Sequence, residues 1–216
     1  MGLDPLQRSR TAEQVASVLR RRIADGLLEP GLWLKEDELS TALGVSRNTV
    51  REAFQLLVHE GMVVRAQHRG AFVREMSIDD VSDIFRTRRL MEPLGIGPSA
   101  RDKVLAGALL DIVDSAAVAA EHGRWREVGT ANLDLHRALV RSCRSARLDR
   151  MSGQLFAELR LAFLMTGDAQ ALHEPYLEWN RRIAELILAG DVGSAESELA
   201  SYLTDSERTV IAGMSG

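Results

Sequence analysis

The side chains best suited to chemistry stand together in residues 44–54, Gly-Val-Ser-Arg-Asn-Thr-Val-Arg-Glu-Ala-Phe. Ser46 can cap a helix that begins at the next residue, because its hydroxyl can accept from a free backbone N–H. The outer first turn of that helix then carries Arg47, Asn48 and Arg51. Arginine can donate two hydrogen bonds to guanine, and N–H groups at a helix N-terminus bind phosphate oxygens. The pattern predicts a helix that reads double-stranded DNA; the alternative, for this stretch alone, is a capped helix with a solvated polar face.

A second helix is expected directly before this one. Residues 36–43 show apolar periodicity and run into Gly44, which can take the positive φ that ends a helix. The following helix should bury the apolar side chains that recur at three- and four-residue spacing, namely Val50, Phe54, Leu57 and Val58. Two helices joined by a tight turn form a helix-turn-helix.

Two short β-prone segments come next, at residues 61–65 and 70–73, joined by the polar, basic tip 66–69. They predict a β-hairpin, and a helix-turn-helix with a hairpin directly after it is a winged helix. Basic side chains of the hairpin could lie along the DNA backbone or in the minor groove. The candidate DNA-contacting residues are Ser46, Arg47, Asn48, Thr49, Arg51, Arg65, His68, Arg69 and Gly70.

The segment before the helix-turn-helix is expected to support it. Thr11 can cap a helix that continues to about Asp25 and packs behind the DNA-reading helix, and Gly26 ends it. Trp33 follows the turn at Pro30-Gly31. We interpret Trp33 as a domain-packing residue rather than a ligand contact.

Composition and charge limit the possible functions. The 216 residues include 45% hydrophobic and 27% charged residues, which is ordinary for a globular protein of one or two domains. No apolar stretch predicts a membrane span or a signal peptide, so a soluble, cytoplasmic protein is expected. Residues 1–76 carry 11 Lys and Arg against 10 Asp and Glu, and residues 77–216 carry 16 against 21. DNA binding would therefore depend on a local basic patch and on two copies in a dimer.

Residues 77–216 are predicted to form an all-α domain, separate from the DNA-binding domain of residues 1–76. Apolar periodic segments alternate with glycine-containing breaks, and no segment has convincing strand character. Six helices of this length make a bundle. Their expected ranges are 77–95, 99–121, 125–141, 146–165, 175–189 and 193–211.

Five polar side chains interrupt the apolar faces of these helices. Arg88 follows an apolar stripe, Asn132 and His136 lie one helical turn apart, and Asn180 and Tyr202 lie on the last two predicted helices. Polar groups inside a bundle need partners, which can be other side chains, water or a ligand. For each position taken singly, a satisfied hydrogen bond within the core is the simpler interpretation.

Several short sequences between residues 11 and 75 occur in a fixed order: Leu27-Leu28-Glu29-Pro30-Gly31, Leu34-Lys35-Glu36-Asp37-Glu38-Leu39, Leu43 through Ala53, Leu57, Glu60-Gly61 and Arg69-Gly70-Ala71-Phe72-Val73. In that order they resemble the signatures of the GntR family of bacterial transcription regulators. The resemblance implies a winged helix-turn-helix, a palindromic operator bound by a homodimer, and a regulator that is more often a repressor. Asn48-Thr49 departs from the Thr-Pro of many members, and Asp37 stands where some members carry a DNA-contacting arginine.

Three later segments, residues 84–94, 132–139 and 183–191, resemble the FCD ligand-binding domain of FadR-like members of that family. This resemblance implies an effector pocket formed by Arg88, Asn132, His136, Asn180 and Tyr202. Metal-binding relatives hold a divalent ion with one Asp and three His, and these positions are Asn132, His136, Asn180 and Tyr202 here. Neutral Asn and Tyr bind transition metals poorly, so no metal or other cofactor is expected. The effector is expected to be an organic acid or other carboxylate, which suits the planar fork of Arg88.

Two other classes of function compete with an effector-responsive regulator. An enzyme could use His136 as a general base with Asp134 or Glu185. The sequence lacks an evident activated Ser or Cys nucleophile, a Gly-rich phosphate loop and a complete metal set, and its single Cys143 excludes an internal disulfide. An enzyme is therefore disfavoured. The closer alternative is a DNA-binding regulator whose helical domain only dimerises and binds no ligand.

Overall fold

The computed structural model describes residues 8–66 and 69–215. The chain divides between Glu75 and Met76 into two compact units, the N-terminal unit and the C-terminal unit. No helix in the described part of the chain is long and apolar enough to span a lipid bilayer. The predicted fold class, a winged helix-turn-helix followed by an all-α bundle, is confirmed.

In the residues that the structure describes, the N-terminal unit contains three helices and a small sheet. Its elements are α1 (Arg8–Ala24), β1 (Trp33–Leu34), α2 (Glu36–Leu43), α3 (Arg47–His59), β2 (Val63–Ala66) and β3 (Gly70–Val73). All strand pairs are antiparallel and the sheet order is β1-β3-β2, so β3 is central. The α1 helix packs on α3, and the Arg20 guanidinium donates to both carboxylate oxygens of Glu60 at 2.6 and 2.7 Å.

The tight turn between α2 and α3 forms as predicted. Gly44 has φ 65°, which is left-handed backbone, and its N–H donates to the last carbonyls of α2. Ser46 then caps α3. Val50, Phe54 and Leu57 are fully buried. Val58 was expected to be buried with them but is 39% exposed, because its direction around the helix lies outside the packed face.

The strand β1 was missed by sequence reasoning, and it carries Trp33, which was interpreted as a domain-packing residue. Trp33 pairs with Phe72 across the sheet and stacks on its ring at 6.4 Å between centroids, but its surface is 51% exposed. The neighbouring Leu34 points the other way into the core and is 3% exposed. Alternation along a strand explains why one of the two is buried and the other is not.

In the residues that the structure describes, the C-terminal unit consists of helices joined by turns and short loops, with no strand. Its helices are α4 (Ile78–Met91), α5 (Pro93–Arg101), α6 (Lys103–Glu121), α7 (Trp125–Arg141), α8 (Ala146–Met165), α9 (Ala169–His173), α10 (Tyr176–Ala189) and α11 (Val192–Met214). The central helix α7 packs against α5, α6, α8, α9 and α10.

Three details of the bundle differ from the prediction. The helix expected over 99–121 is divided at Asp102, which caps α6. The segment expected as a helix over 77–95 ends at Met91, and Pro93 begins the separate helix α5, because proline has no N–H to donate and suits a first helical position. Gly95 then lies directly against α7, where an added Cβ would be 1.8 Å from the carbonyl oxygen of Leu139. The five-residue helix α9, capped by Asp168, was not predicted.

Candidate DNA interface and ligand site

The first turn of α3 presents donors to solvent. The Ser46 hydroxyl accepts from the Thr49 N–H at 3.1 Å, which fixes the start of the helix. The side chains of Arg47 and Arg51 are 64% and 55% exposed. Asn48 is also exposed and donates to Glu52 at 2.7 Å. The predicted DNA-reading face is therefore a surface that a duplex can reach.

Both arginines of this face already have acidic partners on α2. The Arg47 Nε lies 2.7 Å from Asp37 Oδ1, and the Arg51 Nε lies 2.7 Å from Glu36 Oε2. Sequence reasoning missed these pairs, although three acids in the first turn of α2 were a visible signal. The carboxylates orient the two guanidinium groups, and they also place negative charge where phosphates would approach.

Asp37→Asn is expected to raise affinity for random DNA and to reduce the preference for operator over random DNA. It removes a negative charge beside the phosphates and also the group that orients Arg47. The preference should fall by at most about 1 kcal/mol, the upper value for an exposed ion pair. Fluorescence anisotropy with both kinds of DNA measures this. Asp83→Asn, the control, removes an exposed acid that is paired to Arg86 in the other unit, and it should change neither affinity. An unchanged preference for operator DNA in Asp37→Asn would show that Asp37 does not orient Arg47.

The wing carries the remaining predicted DNA contacts. Arg65 on β2 and Arg69 before β3 are exposed, and the Arg69 guanidinium lies 5.9 Å from the centre of the Phe72 ring. Gly70 has φ 98°, and an added Cβ would be 2.7 Å from Trp33 Nε1. A side chain at Gly70 would therefore strain the turn and displace Trp33. His68 lies outside the described residues.

In the C-terminal unit, Arg88 belongs to a buried chain of charges. Its Nε donates to Glu92 Oε1 at 2.5 Å, and His136 Nδ1 donates to the other oxygen of Glu92 at 2.7 Å. All three side chains are at most 1% exposed. The sequence predicts Arg88 as a ligand for an effector carboxylate, but the carboxylate that it holds here is the protein's own Glu92. Sequence reasoning missed Glu92, whose spacing of four residues from Arg88 was the available signal.

The protonation states of this chain follow from burial and charge. Burial alone would raise the pKa of Glu92, but the positive charge of Arg88 and the contact with His136 hold that pKa below its ordinary value. Burial lowers the pKa of His136, and this outweighs the attraction of Glu92. Glu92 is therefore ionised and His136 is neutral, with its proton on Nδ1 because an ionised carboxylate can only accept.

Tyr202 and Asn132 form a second buried pair beside this chain. The Tyr202 hydroxyl donates to Asn132 Oδ1 at 2.9 Å. The Tyr202 ring lies 4.6 Å from the His136 ring between centroids, and the rings of Tyr176 and Trp179 meet it edge-on. Arg88, Asn132, His136 and Tyr202 thus form one polar cluster, in which Glu92 links Arg88 to His136 and Tyr202 bonds to Asn132.

Asn180 joins this cluster through a small cavity. Asn132 and Asn180 lie in its wall together with His173, and the remaining wall is apolar, formed by Ile112, Val113, Ala116, Val128, Ala131, Leu135 and Leu177. The cavity has a volume of about 10 Å³, which is room for about one water molecule. An organic effector would need the surrounding helices to move.

Two protein families match this chain, one in each unit. Residues 11–73 match the family described as bacterial regulatory proteins, gntR family, and residues 83–205 match the FCD domain. The chain belongs to the GntR family. It is a DNA-binding transcription regulator of the GntR type with an FCD domain.

Individual relatives support the same assignment. This GntR regulator is 28% identical to the "Probable D-xylose utilization operon transcriptional repressor" of Paenarthrobacter nicotinovorans, over 92% of this chain and 88% of that one. It is 28% identical to the gluconate operon transcriptional repressor of Bacillus licheniformis, over 82% and 72% of the two chains. The crystal structure of a GntR protein from Rhodococcus sp. RHA1 is 36% identical, with a TM-score of 0.89 over 94% of this chain and 98% of that one.

The described residues of this GntR regulator contain no group of three or more His, Cys, Asp or Glu side chains that could hold a metal ion. His136 Nδ1 bonds to Glu92, and the His136 ring lies 4.6 Å from the Tyr202 ring between centroids. Asn132 and Tyr202, which the sequence resemblance aligns with metal ligands of relatives, bond to each other. These residues do not fit a transition metal, because amide and phenol groups replace carboxylate and imidazole.

His173 is a further buried residue of the GntR regulator's cavity wall. It is 3% exposed and meets the Phe163 ring edge-on. Burial, and then the charge of Arg160, lowers its pKa to about 4. An added Cβ at Gly129 would lie 2.3 Å from His173 Nε2, so only glycine on α7 permits this approach. His173 is therefore packed as a neutral ring.

The stability of the C-terminal unit is expected to fall as the pH decreases from about 6.5 to about 4. The unfolded chain binds a proton at His173 in this range and the folded chain does not, so acid favours unfolding. Each such histidine contributes up to about 1.4 kcal/mol per pH unit. Urea unfolding at several pH values measures this. The free energy of unfolding should fall less steeply with decreasing pH in His173→Gln than in the unmodified chain. His122→Gln, at an exposed position, is the control, and an equal slope in both variants would contradict the prediction.

Proposed function

We propose that this GntR regulator binds a two-fold symmetric operator as a homodimer and represses transcription until a small-molecule effector binds in the C-terminal unit. The observation that carries the DNA part is the capped, exposed first turn of α3 with Arg47 and Arg51. An arginine fork in this position matches guanine in the major groove, and Arg65 and Arg69 on the wing can contact phosphates.

The effector part is supported by the polar cluster and the adjacent cavity of the C-terminal unit. Two relatives are named as repressors of D-xylose utilization and gluconate operons, so small sugars and sugar acids are the first compounds to test. Arg88, Asn132, His136, Asn180 and Tyr202 are the residues proposed to respond to the effector. They come from α4, α7, α10 and α11, so a ligand among them would shift several helices together.

A second candidate function has a specific observation in its favour. The cavity is only about 10 Å³, and Tyr202 and Asn132 already satisfy each other. A C-terminal unit that serves only as a ligand-free dimerisation domain would have these features. In that case no small molecule would change operator binding.

Effector titration separates the two candidates. The full chain is screened by thermal shift against small sugars, sugar acids, other organic acids and coenzyme A thioesters. A ligand at one hundred times its dissociation constant adds about 2.7 kcal/mol of stability. Compounds that raise the melting temperature are then added to the operator complex and DNA release is followed by fluorescence anisotropy. Release by at least one compound supports the proposed function, and no release by any compound supports the ligand-free candidate.

The protein is expected to be a dimer at micromolar concentration. Residues 1–76 have almost balanced charge, with 11 Lys and Arg against 10 Asp and Glu, so one copy attracts DNA only weakly. Two copies on a palindrome double the contacts. Size-exclusion chromatography with light scattering should give twice the mass of the chain. A monomer at this concentration would contradict the proposed mode of operator binding.

A further inference from the structure

Five buried polar side-chain atoms of the C-terminal unit have no hydrogen-bond partner among the residues that the structure describes. Ser99 Oγ and Arg137 Nε are two of them, and the other three are Arg88 Nη2, His136 Nε2 and Asn180 Oδ1. Their side chains are 1%, 0% and 7% exposed. A buried polar atom without a hydrogen-bond partner is unfavourable, so partners are expected to come from outside the chain. These three atoms belong to the polar cluster and the cavity wall.

The donor or acceptor roles of Arg88 Nη2, His136 Nε2 and Asn180 Oδ1 determine which hydrogen-bonding groups a ligand must offer. Arg88 can only donate. His136 uses its single proton on Nδ1 for Glu92, so Nε2 presents a lone pair and can only accept. Asn180 Oδ1 also accepts. The complementary ligand must therefore offer one acceptor and at least two donors.

A carboxylate does not meet this requirement. The charge of Arg88 is already balanced by Glu92 at 2.5 Å, so an anionic ligand would add a second, unbalanced negative charge to a buried cluster. Its oxygens would also face the lone pair of His136 and the oxygen of Asn180. A hydroxyl group both donates and accepts, and it satisfies either kind of atom without adding charge.

Tyr202 contacts both parts of the proposed site. Its hydroxyl bonds to Asn132 in the cavity wall, and its ring lies against His136 in the buried chain of charges. A ligand that replaces the Tyr202 hydroxyl on Asn132 would connect the cavity with His136 and Arg88. The movement required is a displacement of α11, which carries Tyr202, from α7.

The geometry points to an uncharged, polyhydroxylated effector, a small polyol or sugar, that hydrogen-bonds to Asn132, Asn180 and His136 in place of Tyr202. This inference rests on the proposed effector function, and it replaces the carboxylate expected from the sequence by a neutral ligand of similar size.

Matched pairs of compounds test the ligand class. Xylitol is compared with D-xylonate, and D-glucitol with D-gluconate, because each pair keeps the carbon chain and exchanges one terminal CH₂OH for a carboxylate. The neutral member of at least one pair should raise the melting temperature of the full chain in a saturable way and shift operator affinity, and its acid should require at least tenfold higher concentration. Asn180→Leu should fold normally and should require at least a tenfold higher concentration of the neutral compound for the same response. Ser152→Ala, at a buried serine that bonds within its own helix, should keep the response.

Each outcome has a definite meaning. A response to an acid without a response to its polyol overturns the neutral-ligand inference and leaves the proposed effector function intact. No response to either member of both pairs also overturns the inference, and the proposed function is then decided by whether any compound of the wider screen releases DNA. An unchanged response in Asn180→Leu would place the ligand elsewhere and overturn the assigned site.

Discussion

Glu92→Ala is expected to lower the free energy of unfolding of the C-terminal unit by about 3–5 kcal/mol, the usual cost of removing one partner from a buried ion pair. Arg88 would remain in the core without its partner at 2.5 Å, and His136 Nδ1 would lose its acceptor. Urea unfolding followed by circular dichroism measures the change.

Two controls isolate the buried pair. Asp83→Ala on α4, the helix that carries Arg88, removes an exposed partner of Arg86 and should cost no more than about 0.5 kcal/mol. The double variant Arg88→Met/Glu92→Leu replaces both charges with apolar side chains and should be closer to the unmodified chain than Glu92→Ala. A loss below about 1 kcal/mol in Glu92→Ala would show that the pair is not buried in solution.

Arg51→Ala is expected to cost about 1–3 kcal/mol of operator binding for each half-site, with a much smaller effect on random DNA. The physical reason is that an arginine fork on a base edge carries sequence information, whereas a phosphate contact does not. Arg51 Nε lies 2.7 Å from Glu36 Oε2, and this exposed ion pair must break before Arg51 can reach DNA. Part of the free energy that Arg51 gains from contact with DNA therefore offsets the loss of the pair. Anisotropy titrations on operator and random duplexes at one salt concentration measure both affinities.

The matched variants for Arg51 separate its role from general charge. Arg69→Ala on the wing should weaken binding to operator and random DNA alike, because it is predicted to contact phosphates. Arg86→Ala removes an exposed arginine from the C-terminal unit and should change neither affinity. Equal losses on both kinds of DNA for Arg51→Ala would exclude its role as a base reader.

The helix-turn-helix could be predicted from the sequence because its signals are local. Gly44 ends one helix and Ser46 begins the next through backbone bonds within a few residues. The strand β1 could not be predicted, because a strand of two residues exists only through its pairing with β3. The exposure of Trp33 follows from that pairing and was missed for the same reason.

The polar cluster of the C-terminal unit was only partly predictable. Asn132 and His136 were visible from the sequence, because residues four apart share a helical face. The four-residue spacing of Glu92 from Arg88 was visible as well, but its other partner, His136, is 44 residues away on α7. The contact between Tyr202 and Asn132 spans 70 residues. Such pairs are set by how helices pack, and periodicity within one helix carries no information about them.

Selection of bound sequences from a pool of random DNA, with the full chain as bait, tests the central claim most directly. A GntR regulator that reads DNA through α3 as a homodimer should enrich an inverted repeat of two half-sites. The same selection with Arg51→Ala should lose information at matching positions of both half-sites. Enrichment of no motif, or of a single half-site without symmetry, would contradict this account.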